Sequence, residues 1–151
     1  MVSRKYVLEK SFGAPLKFVY DWCTDFRDDD NRISGERAQR KIISSSAGKV
    51  AWIAKSTSNG KKTEKIRVVT LMPPSRWHVD GYGTQYDIVG DYVLKSAGRN
   101  ITTLTMTFEV NYKTIEPEPG KKWETDLGQE WDRFKFALER DYSALAAVRK
   151  R

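Results

Sequence analysis

The chain has 151 residues, of which 39% are hydrophobic and 31% are charged, and its formal net charge at pH 7 is +7. This length and composition are ordinary for a soluble globular protein, and we expect a single domain over residues 1–151. No apolar run approaches the roughly 18 to 20 residues that a transmembrane helix needs, so we expect no transmembrane segment. Cys23 is the only cysteine, which excludes an internal disulfide framework and a thiolate metal cluster.

The positive net charge favours an anionic partner, but the basic residues are scattered along the chain. The densest runs are Arg37 to Lys41, Lys61 to Arg67 and the last three residues, and each is short or interrupted. We therefore interpret most of the charge as solvated surface and keep nucleic acid or an anionic membrane as a weaker alternative. The first residues carry no apolar signal core, so we expect a cytoplasmic protein. We further expect no specific nucleic-acid partner and a monomer or weak homodimer.

The N-terminal part of the chain predicts one strand followed by helix. Arg4 to Ser11 alternates in polarity, which indicates a first strand. Pro15 suits the first turn of a helix, because its missing N–H would have no intrahelical partner there. The polar segment from Asp25 to Arg32 predicts a loop with a second short helix that ends near Gly35.

From Glu36 to Tyr112 the apolar residues recur with a period of two, which predicts about six further strands. The turn signals between them are Ser58-Asn-Gly-Lys, Pro73-Pro74 and Ala97-Gly-Arg-Asn. Because tight turns join consecutive strands, we expect one antiparallel sheet with an apolar face and a polar face. For one strand we assign Ile66, Val68, Thr70 and Met72 to the inward side.

The stretch from Lys121 to Arg151 predicts one long helix. Its large apolar residues recur at steps of three and four, and Gly128 is the only internal glycine. The helix could run about 28 residues, and its apolar stripe needs a broad surface such as the sheet. The stripe consists of Trp123, Leu127, Trp131, Phe134, Leu138, Tyr142 and Leu145.

The order of the predicted elements and four sequence segments resemble those of a known family. The segments are Phe12-Gly-Ala-Pro-Leu-Lys-Phe-Val-Tyr-Asp-Trp, Pro73-Pro74-Ser-Arg-Trp-His, Gly90-Asp-Tyr-Val-Leu and Thr103-Leu-Thr-Met-Thr-Phe. The chain resembles the START and Bet v 1-like (SRPBCC) superfamily, in particular its polyketide cyclase/dehydrase-like branch.

The resemblance implies an α+β helix-grip fold, in which a curved antiparallel sheet of about seven strands wraps around a long C-terminal helix, with two short helices after the first strand. It also implies a deep cavity, which the family uses for lipids, sterols, hormones and polyketides. The family shares no catalytic signature, so the resemblance assigns no catalytic residue.

Candidate catalytic and metal-binding residues are few. The aspartates within residues 25–30 lack the spacing of a calcium loop, and we interpret them as a solvated, helix-capping loop. His78 alternates with its apolar strand neighbours, so it should point away from the cavity. Cys23 has no motif around it and is interpreted as a small buried hydrophobe. We expect no catalytic residue, no metal and no cofactor.

The aromatic residues of the predicted inward faces are compatible with a filled core or a ligand pocket, and the family resemblance implies the pocket. Our first hypothesis is a protein that binds or carries a hydrophobic or amphipathic small molecule, such as a lipid, a polyketide or an isoprenoid-like compound. The alternative is a cyclase- or dehydratase-type enzyme with Tyr92 or Tyr112 as acid or hydrogen-bond donor. The predicted ligand-binding residues are Trp52, Thr70, Val79, Tyr92, Met106, Phe108, Trp131 and Phe134.

Overall fold

The computed structural model describes residues 2–26, 39–58 and 60–149. The second short helix predicted to end near Gly35 falls largely on residues 27–38 and so lies outside the described residues, as do Asp28, Asp29 and Asp30. The elements in chain order are β1 (Val2–Phe12), α1 (Leu16–Thr24), β2 (Gln39–Ser46), β3 (Lys49–Ser58), β4 (Lys61–Met72), β5 (Arg76–Gly83), β6 (Tyr86–Gly98), β7 (Ile101–Tyr112) and α2 (Lys122–Arg149).

The seven strands form one sheet in the order β1-β7-β6-β5-β4-β3-β2. Every neighbouring pair is antiparallel, as the tight turns predict. The register places Phe108 between Tyr6 of β1 and Gly90 of β6, and Gly90 lies opposite Val79 of β5. The predicted curved antiparallel sheet with one long C-terminal helix is confirmed.

The long helix α2 covers the inner face of the sheet, and the core lies between them. It has 28 residues, and Trp131 and Leu138 are buried along its apolar stripe. Tyr142 ends the packed part of the stripe, because Leu145 is 37% exposed. Within the described residues, no helix combines the length and apolarity that crossing a membrane requires.

The short helix α1 is fastened to α2. The Trp22 Nε1–H donates to a carboxylate oxygen of Asp141 at 2.9 Å, and the rings of Phe18 and Tyr142 meet edge to face at 5.0 Å. The start of α1 is held to β7, where the buried hydroxyl of Thr102 donates to the carbonyl of Ala14 at 2.8 Å. These contacts place α1 against one end of the core.

The inward face of β4 is the opposite of the predicted one. Arg67 and Val69 are buried, whereas Ile66 is 40% exposed and Thr70 pairs with His78 on the outer face. The prediction that Ile66, Val68, Thr70 and Met72 point inward is therefore wrong. Apolar residues occupy both alternating positions of this strand, so alternation alone does not choose the side. Pairing with β5 makes the choice, because it sets Val69 opposite the buried Val79.

Candidate functional site

A cavity of about 210 Å³ lies between the inner face of the sheet and α2. The helix contributes residues at steps of three and four, so they fall on one side of α2. The sheet contributes inward side chains from β2 through β7, and α1 and the residues after it close one side. The helix residues are Trp123, Leu127, Glu130, Trp131 and Phe134.

A continuous set of aromatic rings forms much of the wall. Tyr92 stacks on Trp77 with ring centroids 4.9 Å apart, and it meets Phe108 edge to face at 5.5 Å. On the helix side, Trp131 lies 5.1 Å from Phe134. Such pairs add about 0.5–1.5 kcal/mol each beyond the burial of their area. The aromatic rings of the wall therefore stabilise one another through these contacts.

The sequence-predicted pocket residues divide into three groups. Thr70 lies on the outer side of the sheet, since β4 presents its other face to the cavity, and its assignment to the cavity is wrong. Met106 points inward but is completely buried in the core beside the cavity. The residues that do line the cavity are Trp52, Val79, Tyr92, Phe108, Trp131 and Phe134. That these residues bind a ligand remains a prediction.

The charged residues of the cavity were not identified from the sequence. Arg40, Lys65, Arg67 and Glu130 all line it. Arg67 is only 8% exposed. One signal for Arg67 was available, since it alternates with Val69 and Leu71 in a strand with apolar residues on both sides. A second signal that Arg67 points into the cavity is its cross-strand neighbour, which the sequence does not reveal.

That second signal is Gly81, which pairs with Arg67 across β4 and β5. A Cβ atom at position 81 would overlap the Arg67 guanidinium, so the glycine leaves the space that this group fills. Arg67 Nη1 donates to the carbonyl of Ile66 at 3.3 Å, and the guanidinium carbon lies 5.8 Å from the ring centre of Tyr86. The second guanidinium, that of Arg40, lies over Trp52 at 4.1 Å.

Two tyrosines, Tyr86 and Tyr92, line the cavity, and burial raises the pKa of Tyr92. Desolvation raises the pKa of Tyr92 well above its usual value, the Glu130 carboxylate raises it further, and Arg67 opposes the shift. At neutral pH the Tyr92 hydroxyl is therefore a hydrogen-bond donor and not a base. Tyr112 also has a raised pKa, through burial and a 2.8 Å hydrogen bond with Tyr6. It is not among the described residues that line the cavity.

Among the comparisons with known proteins, the one with solved structures finds matches. No protein-family model matches this sequence, and no curated protein matches it. Among solved structures, the Zhui aromatase/cyclase of a Streptomyces species matches with a TM-score of 0.70 at 12% identity, covering 93% of both chains. A START superfamily protein from Mycobacterium smegmatis matches with a TM-score of 0.66 at 16% identity, covering 93% of this chain and 98% of the other.

A third solved structure extends the likeness to plant proteins. Major latex-like protein 151 from Panax ginseng matches with a TM-score of 0.66 at 9% identity, covering 90% of this chain and 97% of the other. The chain therefore shares the helix-grip fold of these solved structures. At these identities the likeness establishes the fold and leaves the ligand and any activity open.

A second, polar pocket of about 210 Å³ adjoins the aromatic cavity of this helix-grip fold. The two share Lys65, Arg67 and Tyr86. Beyond these shared residues the pocket is lined by hydroxyl and amide side chains, by the carboxylate of Glu64 and by the small residues Ala54 and Gly83. Ser56 and Thr63 are hydrogen-bonded to each other at 2.8 Å. Arg67 therefore lies at the boundary between the aromatic cavity and the polar pocket.

The remaining candidates from the sequence lie as follows in the fold. His78 points to the outer face, as predicted, with Nδ1 2.7 Å from Asp91 and Nε2 3.2 Å from Asp80. Cys23 is half-buried and lines the cavity. Among residues 2–26, 39–58 and 60–149, no group of three or more His, Cys, Asp or Glu side chains is arranged to hold a metal ion.

Proposed function

We propose that this protein binds a small hydrophobic or amphipathic molecule in the cavity between the sheet and α2. One observation carries the proposal: the cavity has mainly aromatic and aliphatic walls with a few polar groups, among them Arg67, Tyr86 and Tyr92. Apolar walls that orient a ligand through a few polar groups are typical of small-molecule sites. The volume of about 210 Å³ is below the roughly 300–1,000 Å³ of drug-sized pockets and favours a compact ligand.

A cyclase- or dehydratase-type enzyme that uses the same cavity is the second candidate. It is favoured by the buried Tyr92 hydroxyl, whose pKa responds to both Glu130 and Arg67. In that role the neutral phenol would donate a hydrogen bond to a substrate carbonyl. Conversion of a polyketide-like substrate that Tyr92→Phe reduces without loss of substrate binding would support the enzyme over the binder.

The other expectations from the sequence remain predictions. They are a single domain over residues 1–151, cytoplasmic location, a monomer or weak homodimer, and no specific nucleic-acid partner. Affinity for a random DNA duplex across a salt series tests the last of these, because phosphate binding weakens steeply as salt rises.

The binding proposal is tested by a matched pair of phenylalanines on α2. Phe134 lines the cavity and lies 6.0 Å from Trp22, whereas Phe136 is 72% exposed. With N-phenyl-1-naphthylamine, a compact neutral fluorescent probe, we expect Phe134→Ala to weaken affinity about tenfold, because apolar contact contributes roughly 25 cal/mol per Å². Phe136→Ala should leave probe affinity within about twofold of the parent.

Two further controls accompany this test. The melting temperature of each variant is recorded, since lost stability could imitate lost binding. His78→Ala, on the outer face of the sheet, should leave probe affinity unchanged. Equal affinities for Phe134→Ala and Phe136→Ala, or loss of binding in His78→Ala alone, would overturn the proposal. Native mass spectrometry of the purified protein identifies any ligand that it retains.

A further inference from the structure

Arg67 places a positive charge inside the fold. Only 8% of the residue is exposed, and a buried ion is costly unless it is paired and hydrogen-bonded. Within the described part of the chain, Arg67 forms no ion pair. Its contacts there are the hydrogen bond to the Ile66 carbonyl and the distant ring of Tyr86. A guanidinium has five N–H donors, so most of its hydrogen-bonding capacity is left for a group in the cavity.

The nearby carboxylates do not neutralise this charge. Asp87 responds to the field of Arg67, but its carboxylate is bound to Lys113 at 2.8 Å. Glu130 is the acidic residue among the described side chains that line the cavity, and it stands on α2 across from the sheet. Arg40 and Lys65 also line the cavity, and each of them, like Glu130, has further interactions. Arg67 is therefore the charge that favours an anion in the cavity.

The position of Arg67 also sets an orientation. The aromatic cavity on one side of it suits an apolar body, and the polar pocket on the other side, which carries hydroxyl groups and Glu64, suits a polar end. Gly81 leaves the space in which the guanidinium lies at this junction. A molecule that spans the junction would place its charged group against Arg67.

We propose that the ligand is a compact aromatic or aliphatic carboxylate, whose carboxylate binds Arg67 and whose apolar body fills the aromatic cavity. This inference rests on the proposed function and names the ligand class for the same cavity. A planar guanidinium matches a planar carboxylate through two parallel N–H···O bonds. A buried site built for such a pair rejects the neutral analogue, because the donors are then left poorly paired.

The first test uses the unaltered protein and two ligands of the same shape. Naphthalene-2-carboxylate and naphthalene-2-carboxamide compete at pH 7.5 against bound N-phenyl-1-naphthylamine. We expect the carboxylate to bind at least about tenfold more tightly than the carboxamide. Equal affinities, or a preference for the carboxamide, would overturn the inference.

The second test identifies the residue that is responsible for the preference for the carboxylate. Arg67→Met keeps a side chain of similar length without the charge, and it should abolish the preference for the carboxylate while carboxamide affinity stays within about threefold. Arg67→Lys should keep part of the preference, because the charge stays and the planar fork is lost. The matched control is Arg76→Met, an exposed arginine of β5, which should retain the full preference. Loss of the preference in Arg40→Met but not in Arg67→Met would overturn the assignment to Arg67.

These outcomes separate the inference from the proposed function. If the fluorescent probe and the two competing ligands bind without a charge preference, the carboxylate inference fails and the binding function stands. If none of them binds, both fail. If Arg67→Met does not melt cooperatively, the comparison of the two ligands on the unaltered protein still decides the inference.

Discussion

Gly90 is the residue that lets the aromatic wall lie close to the sheet. A Cβ atom at this position would come within 2.9 Å of two ring carbons of Phe108, which is closer than packed carbon atoms approach. The absence of a side chain at position 90 therefore allows the Phe108 ring to lie across β6 and meet Tyr92.

We expect Gly90→Ala to reduce the free energy of unfolding by about 1–3 kcal/mol, because the Phe108 ring must shift out of its packed position. Urea denaturation measures this loss. The control is Val89→Ala on the same strand, where the side chain is 40% exposed and the loss should be less than about 1 kcal/mol. Gly90→Ala as stable as the parent would mean that the ring is not closely packed against the strand.

His78 makes the outer face of the sheet sensitive to pH. Its hydrogen bond to Asp91 raises the pKa of the imidazole, with a further contribution from Asp80 and an opposing one from partial burial. A raised folded-state pKa means that the imidazolium stabilises the fold. This stabilisation is fully present below the unfolded pKa of about 6.5 and is lost as pH rises through the folded value.

We expect the protein to be more stable than His78→Gln at pH 5.5 and to lose that advantage by pH 8.5. The size should be below about 1 kcal/mol, because the cluster is partly exposed and screened by solvent. Urea denaturation across this range measures the difference. Asp91→Asn should remove most of the pH dependence, and an advantage that instead grows with pH would contradict the assignment.

At the scale of elements, α2 packs against the rest of the fold along only part of its length. Leu138 is completely buried, whereas Leu145, two turns later on the predicted stripe, is 37% exposed. The two leucines are therefore a matched pair on one helix.

We expect Leu138→Ala to cost about 2–5 kcal/mol, because it removes buried methyl groups and leaves a cavity. Leu145→Ala should cost less than about 1 kcal/mol. Both values come from urea denaturation of the same protein. Similar losses in the two variants would show that the end of α2 packs as closely as its centre.

For the whole molecule, the sheet depends on the helix that covers it. Burial of each large apolar side chain of the stripe contributes about 1.5–3 kcal/mol, and the net stability of a domain is only about 5–15 kcal/mol. A chain that ends at Lys122 should therefore aggregate and show no cooperative melting. A chain that ends at Ala144 loses mainly exposed residues and should still melt cooperatively. Cooperative melting of the shorter chain would contradict this dependence.

Much of the fold followed from the sequence alone because its signals are local. The period of two along β7 and the steps of three and four along α2 each report a face that is buried on one side, and Pro73-Pro74 and Asn59-Gly60 mark breaks that need no distant contact. The same patterns placed Phe108 and Phe134 on faces that meet at the cavity.

The tertiary structure decided the inward side of β4 and, with it, the charged part of the site. Both alternating positions of β4 carry apolar residues, so the local pattern was compatible with either side. The register with β5 selects the side on which Val69 meets Val79 and Arg67 meets Gly81. Arg67 consequently enters the cavity and Thr70 leaves it. The reason is physical: a one-residue change of phase exchanges the two faces of a strand, and only pairing with neighbouring strands distinguishes them.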